Sequence, residues 1–278
     1  MRIRLKVRKD AQPLGYILYQ GPSAIDGAPI VVILTGFRAA QKATGDGANS
    51  KNGAMLQTYI LRADRSPLDA IATMADKSIC GACPHRGVPE RNASGKVARM
   101  AKRTCYVQVE RGPTVVYRTW QRGRYVDATG WNLSRLQDLV RGYGLRWGSY
   151  GDPAAIPAHT QLVPALSATS AMRTGYTHQW RNRLGAHLRG YVQASCDTAQ
   201  DLADAKRAGW GTFTVLPHDA DPWQYPFPCP ASEESGRALQ CIECGACDGN
   251  KRAHITILAH GSKGRQWTGG RKALPVLA

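Results

Sequence analysis

The stretch Tyr191-Val-Gln-Ala-Ser-Cys-Asp-Thr-Ala-Gln-Asp-Leu-Ala-Asp-Ala-Lys-Arg-Ala-Gly-Trp-Gly-Thr-Phe-Thr-Val-Leu216 reads as strand, helix, strand. Its two ends are short, largely apolar runs. Between them Ala199, Leu202, Ala203, Ala205, Lys206 and Ala208 are good helix formers, and Gly209 ends the helix. A strand returned by a helix to a parallel neighbour is the βαβ unit. Comparable strand-like pieces are Leu145-Arg-Trp-Gly-Ser-Tyr150, Gly175-Tyr-Thr177 and Ile255-Thr-Ile-Leu-Ala259. Polar or ionisable residues follow each piece: Asp152, His178, Asp197, His218 and His260. In parallel sheets function gathers beyond the carboxyl ends of the strands, so these residues define a candidate rim. Asp152 and Asp197 are its acid/base or nucleophile candidates, and His178 and His260 its orienting or polarising groups.

Upstream the pattern differs. Arg2, Arg4, Lys6 and Arg8 alternate with Ile3, Leu5 and Val7, the period of a strand. Gly15-Tyr-Ile-Leu-Tyr19 and Ile30-Val-Val-Ile-Leu34 flank a Gly/Pro/Asp-rich turn, and residues 55–61 form another strand after a polar, Gly-rich loop over 39–53. Cys105-Tyr-Val-Gln-Val109 and Thr114-Val-Val-Tyr117 read as a hairpin turned at Arg111-Gly-Pro113. Residues 133–140 fit a short helix closed by Gly142 and Gly144. The expected fold is α/β, α+β overall. An antiparallel β-rich region over 1–130 carries the first cysteine group. A βαβ-type region over 131–278, barrel-like or an open parallel sheet, carries the second.

The chain has 278 residues and a formal net charge of +17. Its 43% hydrophobic content is enough for a buried core, which argues against intrinsic disorder. The longest aliphatic run, residues 30–34, is far short of the roughly 20 residues that span a bilayer. The basic N-terminus has no apolar stretch behind it, so a cytoplasmic protein without a membrane partner is expected. An anionic partner is implied by the charge, nucleic acid first, and DNA before RNA. Arg122, Arg124, Arg181, Arg183, Lys263 and Arg265 are the backbone-contact candidates, interleaved with Tyr117, Trp120, Tyr125, Trp180 and Trp267. Such a mixture suits single strands, with bases stacked on rings while cations follow the phosphates.

Eight cysteines fall mostly in two groups. Cys241-Ile-Glu-Cys244-Gly-Ala-Cys247 is a C-x2-C-x2-C run that resembles the ferredoxin-type iron–sulfur motif. That motif places a fourth cysteine three residues on, where this chain has Lys251. Cys229, followed by Pro230, is the nearby substitute. Cys229, Cys241, Cys244 and Cys247 would then hold a [4Fe-4S] cluster or zinc, since four thiolates serve either. In the second group, Cys80-Gly-Ala-Cys83-Pro-His85 with Cys105 supplies three soft ligands, and His85 is the fourth zinc candidate. Cys196 stands alone and reads as a core thiol. No P-loop, radical-SAM C-x3-C-x2-C, zinc-deaminase or G-x-S-x-G signature is present.

Several segments together resemble a group of cysteine-rich tailed-phage and prophage proteins. They are Gly21-Pro-Ser with Ile25-Asp-Gly, Gln57-Thr-Tyr-Ile-Leu61, Cys80-Gly-Ala-Cys83, Cys105-Tyr-Val, Gly151-Asp-Pro, Gly175-Tyr-Thr-His-Gln-Trp180, Cys244 with Cys247, and His260-Gly261. The likeness implies a phage-encoded metal protein and brings no activity with it. A looser analogy, to barrel transglycosylases that exchange guanine for a deazaguanine, rests on the late cysteines and rim aspartates. Two functions are therefore expected. One is a metal-bearing enzyme acting on nucleic acid, with base modification as its candidate reaction. The other is a non-catalytic nucleic-acid-binding module with structural zinc.

Overall fold

The computed structural model describes residues 13–38, 52–221, 227–237 and 239–259. The alternating segment before residue 13 and most of the Gly-rich loop lie outside them, as do His260, Lys263, Arg265 and Trp267.

In chain order the strands are β1 (Gly15–Pro22), β2 (Pro29–Thr35), β3 (Met55–Arg62), β4 (Val88–Arg91), β5 (Val97–Ala101), β6 (Val126–Asp127), β7 (Gly144–Tyr150), β8 (Met172–Thr177), β9 (Gln193–Cys196), β10 (Thr212–Leu216) and β11 (His254–Leu258). The helices are α1 (Pro67–Ala72), α2 (Lys77–Cys80), α3 (Gly112–Gln121), α4 (Leu133–Val140), α5 (Leu162–Thr169), α6 (Arg183–Ala186), α7 (Ala199–Arg207) and α8 (Cys241–Cys244).

A nine-stranded mixed sheet runs in the order β11-β10-β9-β8-β7-β3-β2-β1-β6, and β4-β5 form a separate two-stranded sheet. β1, β2 and β3 are antiparallel, as the Gly/Pro/Asp turn requires. From β3 onward every neighbour is parallel. The sheet stays open among the described residues, with β6 and β11 at its edges. The parallel pairing of β3 with β7 carries it unbroken across residue 130.

Local chemistry explains the elements. Ile30 to Leu34 of β2 are fully buried, the signature of a strand covered on both faces. The Asn132 side chain accepts from the Arg135 amide at the start of α4, and Thr198 accepts from the Asp201 amide at the start of α7. Each satisfies an amide that the helix leaves orphaned. Alternation along β7 splits its side chains. Trp147 is fully buried and its indole N–H donates to Ser167 in α5 at 2.9 Å. Arg146 faces the opposite way, toward Asn52 and Tyr106.

One expected hairpin is corrected. Residues 105–109 are irregular, and Thr114 to Tyr117 lie in α3. Pro113 sits in the first turn of α3, where its missing N–H costs nothing, and Pro113, Thr114, Val116 and Tyr117 bury one face. A β-branched pair beside a proline read as strand locally, but packing against β3 selects the helix. α1, α5 and the β4-β5 hairpin carried no sequence expectation.

Candidate functional site

Three rim residues gather as their strand positions require. Asp152 follows β7, His178 follows β8 and Asp197 follows β9. Asp197 is 9% exposed and lies between two imidazoles. Its Oδ1 is 2.8 Å from His85 Nε2 and its Oδ2 is 3.1 Å from His178 Nε2. Burial alone would raise the Asp197 pKa, but the bonds from His178 and His85 reverse this and hold it well below the usual carboxylate range. Burial likewise opposes a charge on His178, yet the Cys83 sulfur and Asp197 beside it lift its pKa well above the ordinary value. His218 is exposed beyond β10.

Asp152, expected as an acid/base or nucleophile, is bonded on both oxygens to backbone amides. Its Oδ1 accepts from the Ala154 amide and its Oδ2 from the His178 amide, both at 2.9 Å. The carboxylate clamps the backbone of the rim, and burial raises its pKa despite these amides.

His85 reaches this rim from the turn Pro84–Arg86 that follows Cys83. That segment is anchored by Asp76, which accepts from Arg86 at 2.6 Å and has Arg103 at 3.7 Å. The Asp152 amide also donates to the Ile79 carbonyl. Gly81 has φ +56, and a Cβ there would meet the Gln179 amide nitrogen at 2.4 Å, so the Cys80–Cys83 link closes over the end of β8 only with glycine. Cys80, Cys83 and Cys105 lie close enough to influence one another, and burial, with those neighbours and Asp76, pushes the Cys80 thiol well up. His85, the expected fourth partner of these thiols, also reaches toward the rim. Its Nδ1 bonds Thr104 at 2.8 Å and its Nε2 bonds Asp197, while the Cys83 sulfur lies beside His178.

The second cysteine group closes against the other half of β8. Cys229, Cys241, Cys244 and Cys247 line one pocket with Met172, Thr174 and Ile255. Burial raises the Cys247 thiol, the Tyr176 hydroxyl beside it offsets part of this, and Cys229, Cys241 and Cys244 raise it further. Among the described residues, no three cysteine sulfurs lie within 4.8 Å of one another. Two features beside this pocket had no sequence expectation. Thr174 Oγ1 and Gln193 Oε1 are buried without a hydrogen-bond partner. Arg146 is bonded to Asn52 Oδ1 at 2.7 Å and the Tyr106 hydroxyl at 2.9 Å, not to a carboxylate. Cys241 and two tyrosines stabilise its charge against burial. A lone arginine in the apolar run Leu145-Arg-Trp147 was the only sequence signal.

The basic candidates divide. Arg122 and Arg124 are exposed just past α3, and Arg183 is exposed at the start of α6. Arg181 is tied to Asp201 and Asp204 and lies 4.0 Å over the Trp180 ring. Trp180 and Tyr117 belong to the core, so neither offers a face for stacking bases. Cys196 is fully buried, as a core thiol should be. No protein-family model, curated protein or solved structure matches the chain.

Proposed function

We propose that the chain is an iron–sulfur protein that acts on nucleic acid, with a [4Fe-4S] cluster held by Cys229, Cys241, Cys244 and Cys247. The observation that carries this reading is the convergence of Cys229 with the C-x2-C-x2-C run in one pocket. The orphaned Thr174 hydroxyl fits the same occupant, because cluster sulfurs accept hydrogen bonds. Arg146 supplies the positive charge that an anionic thiolate-ligated group needs in a buried setting. When bound, such a cluster supplies one-electron chemistry or a structural clamp. The chain's own residues do the rest: Tyr176 lies beside Cys247, and exposed Arg122, Arg124 and Arg183 face solvent where phosphates would approach.

Metal and sulfide analysis of protein purified without oxygen tests this. Expected are about four iron and four sulfide per chain with a broad absorption band near roughly 400 nm, lost in Cys241→Ala. Colourless protein with stoichiometric zinc would overturn the cluster reading. Absence of salt-sensitive binding to single- or double-stranded DNA or RNA would overturn the nucleic-acid part.

A further inference from the structure

The cluster pocket leaves a second constellation unused, at the other end of β8. The pocket touches Met172 and Thr174, whereas His178 follows the last residue of the strand. At about 3.3 Å per residue, Thr174 and His178 are roughly 13 Å apart. We propose that His85, His178 and Asp197 form a separate site for a divalent first-row transition metal such as Fe(II) or Mn(II).

Geometry carries the proposal. One ligand atom from each of the three residues lies within 4.8 Å of the other two, the only such group among the described residues. His85 Nε2 is 2.8 Å from Asp197 Oδ1, and His178 Nε2 is 3.1 Å from the other carboxylate oxygen, Oδ2. Two ligands at right angles, each about 2.1 Å from an ion, are separated by roughly 3.0 Å. Two imidazoles and one carboxylate are the donor set of non-haem Fe(II) centres, which leave positions open for substrate.

The surroundings are built as a metal's outer shell is. Ligating histidines generally bond their second nitrogen to an acceptor that fixes the ring. His85 does this through Nδ1 to Thr104. His178 is fixed through its backbone, whose amide donates to Asp152. The Asp197 amide donates to Asp201 at 3.1 Å, and Asp201 is the residue whose own amide Thr198 caps. The three ligands come from the Pro84–Arg86 turn and from the ends of two parallel strands. They are only 13%, 19% and 9% exposed, so an ion there would be largely enclosed. Cys83, against His178, flanks the site.

Mn(II) discriminates this site from the thiols, because it favours oxygen and imidazole donors over sulfur. Full-length protein, cluster-loaded as purified, is titrated anaerobically with Mn(II), and the free ion is followed by its paramagnetic resonance signal. One Mn(II) per chain is expected. Asp197→Asn and His85→Gln should abolish stoichiometric binding. Thr104→Val keeps all three ligands and should weaken binding about 10- to 100-fold, with the fold unchanged by circular dichroism. Iron and sulfide content should not change in any of these. A Cys241→Ala protein that has lost iron but still binds Mn(II) supports the site independently of the cluster. The proposal is overturned if wild-type protein takes up no stoichiometric Mn(II). It is also overturned if Asp197→Asn and His85→Gln bind as tightly as wild type, or if binding is lost only in Cys83→Ser.

Discussion

Arg146 places a permanent charge on a sheet face whose neighbours are tyrosines, an asparagine and a cysteine. Arg146 is half-buried; such a charge is costly without a counter-charge and favourable beside an anionic cluster. The effect of removing it should therefore change sign with cofactor loading. Arg146→Met is expected to destabilise cluster-loaded protein by about 1–3 kcal/mol and to leave cluster-free protein unchanged or slightly more stable. Thermal unfolding of the two forms side by side checks this. Asp152 is the contrasting case, since both its carboxylate oxygens accept backbone amides. An asparagine can replace only one of those acceptors, so Asp152→Asn should cost about 1–2 kcal/mol in urea unfolding. Its effect on any reaction would come through the position of His178.

Among the elements, α7 matters most to the rim, because its first turn is tied to the loop that holds Asp197. Thr198 caps the Asp201 amide, and the Asp201 carboxylate accepts from the Asp197 amide. Thr198→Ala should cost about 1 kcal/mol of stability and loosen Mn(II) binding at the rim, measured by denaturation and by the same titration. This βαβ unit was legible because three signals agree there: β-rich runs, a helix-forming interval and a terminal glycine. α3 was misread because Val115 and Val116 favour strands locally, while the deciding contacts come from distant residues of β3 and α1. Periodicity reports what a segment could bury, not which surface will cover it.

For the whole molecule, the seam between β3 and β7 is decisive. Leu56, Ile60, Leu145 and Trp147 are fully buried along it. The first cysteine group, from the N-terminal half, meets His178 and Asp197 from the C-terminal half. Residues 1–130 and 131–278 expressed separately should each lack a cooperative unfolding transition, and co-expression should restore it. The net charge of +17 acts at this scale too. If four phosphates are neutralised on binding, affinity should fall on the order of 100-fold between roughly 50 and 200 mM salt. Reversing Arg122 and Arg124 to glutamate should weaken binding across all sequences and flatten that slope, measured by fluorescence anisotropy.

Taken alone, the sequence determined the parallel strands of the C-terminal half, the α7 crossover, the antiparallel start and which residues follow each strand. These are local properties, set by side-chain periodicity, helix-forming composition and glycine placement within a few residues. It also singled out the cysteines, because thiol spacing is written in consecutive residues. Only the tertiary structure decided which groups meet. It joined His85 to Asp197, brought His178 beside Cys83 and set Arg146 beside the second cysteine group. It also buried Trp180 and Tyr117, which had read as candidate stacking surfaces. Those pairings join residues up to 112 positions apart, such as His85 and Asp197. They follow from strand order and from packing at the sheet's carboxyl edge, neither of which a local pattern encodes.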